Sequence, residues 1–115
     1  MSIPEKFSGV LTPVITPIKK DLSPDAKMLI HQCKWMLSQH VGLAVFGTNS
    51  EANSLSTGEK IELLDQLIES GINPARMMPG TGCCALFDSV KLTDHAVKIG
   101  AGGVLMLPPF YYKGV

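Results

Sequence analysis

Gly47-Thr48-Asn49-Ser50-Glu51 places two hydroxyls, a side-chain amide and a carboxylate in five consecutive positions. The segment directly follows the apolar run Leu43 to Phe46. Hydroxyls, amides and the main-chain N–H groups of a turn are hydrogen-bond donors suited to holding a small anion. In repeating β/α proteins ligands bind at the carboxyl ends of strands, and this segment would sit at such an end. The plainer reading is that Thr48, Asn49 and Ser50 are turn and capping residues, since all three types favour turns. Glu51 suits orienting the loop better than acid–base chemistry. Cys83 and Cys84, near a helix start, could be activated thiols or small packing residues, and packing is the expectation. Gly80-Thr81-Gly82 could cradle a phosphate, although a single Gly pair reads first as a tight turn. Tyr111 and Tyr112 follow the Pro108-Pro109 break and in isolation read equally as packing aromatics.

The elements that must position these residues follow from periodicity and punctuation. Gly9 to Ile15 reads as a strand interrupted by Pro13. Ser23-Pro24-Asp25 then gives an N-cap, a proline at the first helical position and an early acid. A helix is expected to about His40, with Met28, Leu29, Cys33, Met36 and Leu37 on its buried face and Trp35 contributing to the core. Leu43 to Phe46 is a second strand, apolar enough for a sheet buried on both faces. Ser56-Thr57-Gly58-Glu59 matches a capping box, and the helix it opens carries Ile61, Leu64, Leu67 and Ile68 before Gly71 ends it. A third strand spans Arg76 to Met78. A third helix from about Ala85 to Ile99 is expected to bury Leu86, Val90 and Val97. Gly103 to Leu107 forms a fourth strand. Strand starts near 9, 43, 76 and 103 give a βαβ-sized repeat, hence a parallel sheet with helices outside it.

Composition bounds the partners. The 115 residues carry ten basic and ten acidic side chains, so no field of one sign recruits nucleic acid or an anionic membrane. Aromatics make up only 6% and are not interleaved with Lys or Arg, which argues against base stacking. Three cysteines, two of them adjacent, make a poor disulfide framework and point to a reducing compartment. His31, His40 and His95 form no metal-ligand pattern with them. With no apolar signal region at the N-terminus and no run long enough to span a bilayer, a soluble, cytoplasmic protein is expected.

Several of these segments together carry a resemblance. Val14-Ile15-Thr16-Pro17, Gly47-Thr48-Asn49-Ser50-Glu51, Leu55-Ser56, Pro79-Gly80-Thr81-Gly82 and Pro108-Pro109-Phe110-Tyr111-Tyr112 occur in order along the β/α repeat. Over essentially its whole length the chain resembles the N-terminal part of the dihydrodipicolinate synthase / N-acetylneuraminate lyase family of class I, Schiff-base aldolases. The resemblance implies an α/β fold, the first four strands and three helices of a TIM (β/α)8 barrel. Residues 1–115 would be the N-terminal portion of one barrel domain, incomplete at the C-terminus, because such a barrel needs about 250 residues.

The resemblance also implies a chemistry. A lysine attacks the keto carbon of pyruvate or another 2-oxo acid, and the imine serves as an electron sink, so neither metal nor organic cofactor is required. Thr48 and Asn49 would hold the substrate carboxylate. Thr48 and Tyr111 would belong to a proton relay, Tyr111 reaching a neighbouring subunit, with Tyr112 the less favoured choice. The enzyme would be a homotetramer, with a small 2-oxo acid as partner. Asn49 and Ser50 stand where the family carries a hydroxyl residue and a glycine, which leaves a lyase or aldolase on a sugar-derived 2-oxo acid at least as well supported as lysine-biosynthetic synthesis. The family's Schiff-base lysine falls beyond Val115. Lys91 and Lys98, on an outer helix, lack the desolvation a Schiff-base lysine needs, so this chain alone is expected to be inactive. The alternative is a standalone, non-catalytic half-barrel that binds a small carboxylate or assembles with another half. A flavodoxin-like domain would also alternate its elements but explains neither loop motif.

Overall fold

The computed structural model describes residues 8–109 and 113–114. Strand β1 (Leu11–Pro13) pairs in parallel with β2 (Gly42–Ala44), Leu11 opposite Gly42 and Pro13 opposite Ala44. The helices are α1 (Ala26–Ser38), α2 (Thr57–Glu69) and α3 (Leu86–Lys98). Beyond β2 the sheet continues through single parallel bridges, Leu43 to Met77 and Gly80 to Leu105. Met78 and Gly80 donate to the carbonyls of Leu43 and Val45, and Thr81 donates to that of Leu105, each at 2.8 Å. Four extended segments therefore lie side by side in chain order, as in the N-terminal part of a TIM barrel. The third is displaced from its expected place. Arg76 ends a 3-10 turn, Pro74–Arg76, and the pairing starts at Met77.

Helix α1 starts later than Ser23 suggests. Asp25 is the cap, its carboxylate accepting the Met28 N–H at 3.1 Å, while Pro24 lies in an antiparallel bridge with Ile18. The α2 capping box is present in full: Ser56 Oγ accepts from Glu59 N–H and Glu59 Oε1 accepts from Ser56 N–H. Capping of this kind is worth about 1 kcal/mol.

The core joins Val14, Leu43, Val45, Phe46 and Met77 from the sheet to Leu29 and Cys33 of α1 and Leu63, Leu64 and Leu67 of α2. Each fully buried aliphatic side chain contributes roughly 1.5–3 kcal/mol. Two expected faces are corrected. Met28 is half exposed and Trp35 lies largely in solvent, so α1 is anchored mainly by Leu29 and Cys33. On α3 the buried residues are Ser89, Leu92 and Ala96, whereas Leu86, Val90 and Val97 are exposed. The helix has apolar residues on two faces, and on the buried one Ser89 Oγ accepts the Cys83 N–H at 2.9 Å. Helices α2 and α3 are tied by His95 Nε2 and Asp65 Oδ1, 2.8 Å apart. Among the described residues no helix is long and apolar enough to cross a membrane.

Candidate functional site

The loop after β2 is ordered into two consecutive 3-10 turns, Thr48–Ser50 and Ala52–Ser54. Glu51 joins them in the left-handed conformation (φ 63°), so its backbone is the hinge between the turns. The turn-and-capping reading of Thr48, Asn49 and Ser50 is thus correct for their backbone. The first turn closes through Ser50 N–H to the Gly47 carbonyl at 3.0 Å. The N–H groups of Thr48 and Asn49 precede that bond and have no place in the turn's own ladder.

Ser50, where a glycine was expected from the resemblance, is fully buried and donates its hydroxyl to the Val14 carbonyl at the end of β1. The extra hydroxyl is therefore spent on tying two strand ends together. Immediately before the loop, Phe46 is also left-handed (φ 61°) with its side chain buried. A bulky residue in that region stores on the order of 1–3 kcal/mol and persists only where its surroundings hold it.

At the carboxyl ends of β2 and the third and fourth segments lies a cavity of about 370 Å³. Its walls include Phe46, Gly47, Thr48, Asn53, Gly80 and Leu107. Gly80 must be glycine, since a Cβ there would stand 2.1 Å from the Phe46 carbonyl oxygen. A Cβ at Gly82 would likewise stand 2.8 Å from the Leu107 backbone nitrogen. Gly80-Thr81-Gly82 is thus a stretch of close backbone approach and not the tight turn its composition suggested. Thr81 is buried and accepts from Thr93 of α3 at 3.0 Å.

Of the residues singled out in the sequence, Thr48 lines this cavity, and Asn49 is exposed beside it without being part of its wall. Tyr111 and Tyr112 lie outside the described residues. Asn53 went unrecognised, and the cavity wall includes it; the only sequence signal was a second amide four residues after Asn49. Thr16, from the first strand end, is buried with a hydroxyl that has no partner among the described residues. Lys91 is exposed, and Lys98 pairs in solvent with Asp94 at 2.8 Å. The hydrogen bond and charge of Asp94 raise the Lys98 pKa, the opposite of what an amine nucleophile needs. Lys60 of α2 is buried but lines a neighbouring cavity, with Cys83, Cys84 and Asp88. Cys84, expected to pack, is exposed, and Cys83 is half-buried.

The dihydrodipicolinate synthetase family profile matches residues 6–115. A 4-hydroxy-tetrahydrodipicolinate synthase of Methanococcoides burtonii is 38% identical over 108 residues, which are 93% of this chain and 36% of that protein. The crystal structure of dihydrodipicolinate synthase from Agrobacterium tumefaciens superimposes with a TM-score of 0.88 at 30% identity, covering 93% of this chain and 38% of that one. That of the dihydrodipicolinate synthase from Acinetobacter baumannii, complexed with pyruvate, gives 0.76 at 28% identity over 88% and 35% of the two chains. The chain thus spans little more than a third of the length of the relatives it matches.

Proposed function

This chain belongs to the dihydrodipicolinate synthetase family, and from that premise we propose that it supplies the carboxylate-binding part of a class I, lysine Schiff-base aldolase or lyase acting on pyruvate or a related 2-oxo acid. The observation that carries the reading is the cavity at the strand ends, walled by Gly47 and Thr48 and opened by the 3-10 turn that sets aside the Thr48 and Asn49 N–H groups. Donors of this kind bind a carboxylate more strongly than a neutral acceptor. A pyruvate complex of a related synthase supports the same substrate class.

In this reading the main-chain N–H groups of Thr48 and Asn49 hold the carboxylate. Asn53 borders the same space and assists. Thr48 belongs to the cavity wall, and in this reading its hydroxyl passes a proton, with Tyr111 as its relay partner. Asn49 in place of a hydroxyl residue preserves a donor, and Ser50 in place of glycine leaves the site's donors untouched because its hydroxyl is engaged by Val14. Residues 1–115 form the N-terminal portion of a single barrel domain, and the nucleophilic lysine belongs to a later strand. The whole enzyme works as a homo-oligomer in which Tyr111 serves a neighbouring subunit.

Borohydride reduction in the presence of pyruvate tests the placement of the nucleophile. This chain alone is expected to keep its 12.3 kDa mass. A reduced pyruvate adduct on Lys60, Lys91 or Lys98 would overturn the assignment.

A further inference from the structure

The strand-end cavity that Thr48 lines is unevenly polar. Among the described residues its wall has two polar side chains, Thr48 and Asn53, and no charged one. The fourth extended segment contributes Leu105 and Leu107. Successive side chains of an extended segment alternate between faces, and Met106, between these two, lines a separate groove with Leu86 and Val90 of α3. Leu105 and Leu107 are 41% and 53% exposed, so they border space that the described residues leave open. The third segment lies between Thr48 and these leucines. It offers the cavity Gly80 and Gly82, which have no side chains, while Thr81 is buried and bonded to Thr93 of α3.

Neighbouring strands lie about 4.7–4.9 Å apart, so two steps of the sheet put the fourth segment roughly 9 Å from the end of β2. Bonded carbons are about 1.5 Å apart, and the three carbons of pyruvate span roughly 2.5 Å. A 2-oxo acid anchored by its carboxylate at Thr48 and Asn49 therefore meets Leu105 and Leu107 only if its chain continues beyond the third carbon. Resting on the carboxylate-binding role proposed above, the geometry points to a 2-oxo acid with an unbranched aliphatic tail as the ligand of this site, with Leu105 and Leu107 as its specificity-determining residues. The glycine strip of the third segment gives the tail its path. A methylene laid against the two leucines leaves water for an apolar surface, which favours binding. A tail hydroxyl in the same place loses water and finds no hydrogen-bond partner there, which opposes it. The wall thus selects against the polyhydroxylated tail of a sugar-derived 2-oxo acid.

The test titrates this chain with pyruvate, 2-oxobutanoate, 2-oxopentanoate, 2-oxohexanoate and 4,5-dihydroxy-2-oxopentanoate, following backbone amide and leucine methyl resonances. Kd is expected to fall about two- to fourfold with each added methylene, and the longer acids should move the methyls of Leu105 and Leu107. The dihydroxy acid should bind more weakly than 2-oxopentanoate. In Leu107→Gln the ratio of the pyruvate Kd to the 2-oxohexanoate Kd should drop severalfold, and Leu107→Met should restore it. Shifts at Gly47, Thr48 and Asn49 with no gain along the series would overturn this inference and leave the carboxylate site standing. Acids that move none of those three amides would overturn the carboxylate site and the inference with it. A dihydroxy acid that binds as tightly as 2-oxopentanoate, or a ratio unchanged in Leu107→Gln, would also overturn the inference.

Discussion

The Ser50 hydroxyl is bonded to the Val14 carbonyl, thirty-six residues away in the chain. It pins the loop after β2 to the end of β1 inside the core. Loss of a buried donor leaves the acceptor unsatisfied, at roughly 1–3 kcal/mol. Ser50→Ala is therefore expected to lower the unfolding free energy by that amount, read as a lower urea midpoint with the denaturant slope unchanged. An unchanged midpoint would show that the bond does not hold the loop.

Two glycines give a matched contrast. A Cβ at Gly80 meets the Phe46 carbonyl, whereas at Gly58, in the first turn of α2, the nearest atom is Ser56 Oγ at 3.9 Å. Gly80→Ala should destabilise by ~3 kcal/mol or more through forced backbone movement. Gly58→Ala should stabilise by about 0.5 kcal/mol through lost chain entropy in the unfolded state. Thermal denaturation of the two variants checks both signs.

Cys33 makes stability depend on alkaline pH. Its folded pKa, about 12, lies above the ordinary 9.0, so between those values the unfolded chain has released a proton that the folded chain retains. The contribution is complete below pH 9 and is lost as pH rises toward 12. Denaturation midpoints of the native chain should fall across that window more steeply than those of Cys33→Ala. Parallel profiles would contradict the burial of the thiol.

Helix α3 presents Leu86, Phe87, Val90 and Val97 to solvent, Phe87 at 85% exposure. Apolar surface of this extent drives association. Sedimentation velocity is expected to show concentration-dependent self-association, reduced in the Phe87→Glu, Val90→Glu double variant. A monomer at all concentrations would show the face to be inert.

Much of this organisation is legible in the residues. The β/α alternation, the α2 capping box and the loop at Gly47 follow from local chemistry, because a cap or an apolar run declares itself within a few positions. The α3 face does not. Leu86, Val90 and Val97 form as good a stripe as Ser89, Leu92 and Ala96, and only the neighbour decides which is covered. The Asp25 cap was missed because Ser23 and Asp25 both suit that position, and the Ile18–Pro24 bridge selects between them. Asn53 escaped notice for a similar reason, since it reaches the cavity wall only because Glu51 turns the chain back between two short helical turns.

The carboxylate site can be mapped by amide shifts as pyruvate is added to this chain, with acetone as the ketone that lacks the carboxylate. Pyruvate alone should move Gly47, Thr48, Asn49 and Asn53, and Thr48→Val should keep the main-chain response while altering its magnitude. Equal responses to acetone and pyruvate, or shifts confined to the opposite cavity of Lys34, His40 and Arg76, would contradict the proposed site.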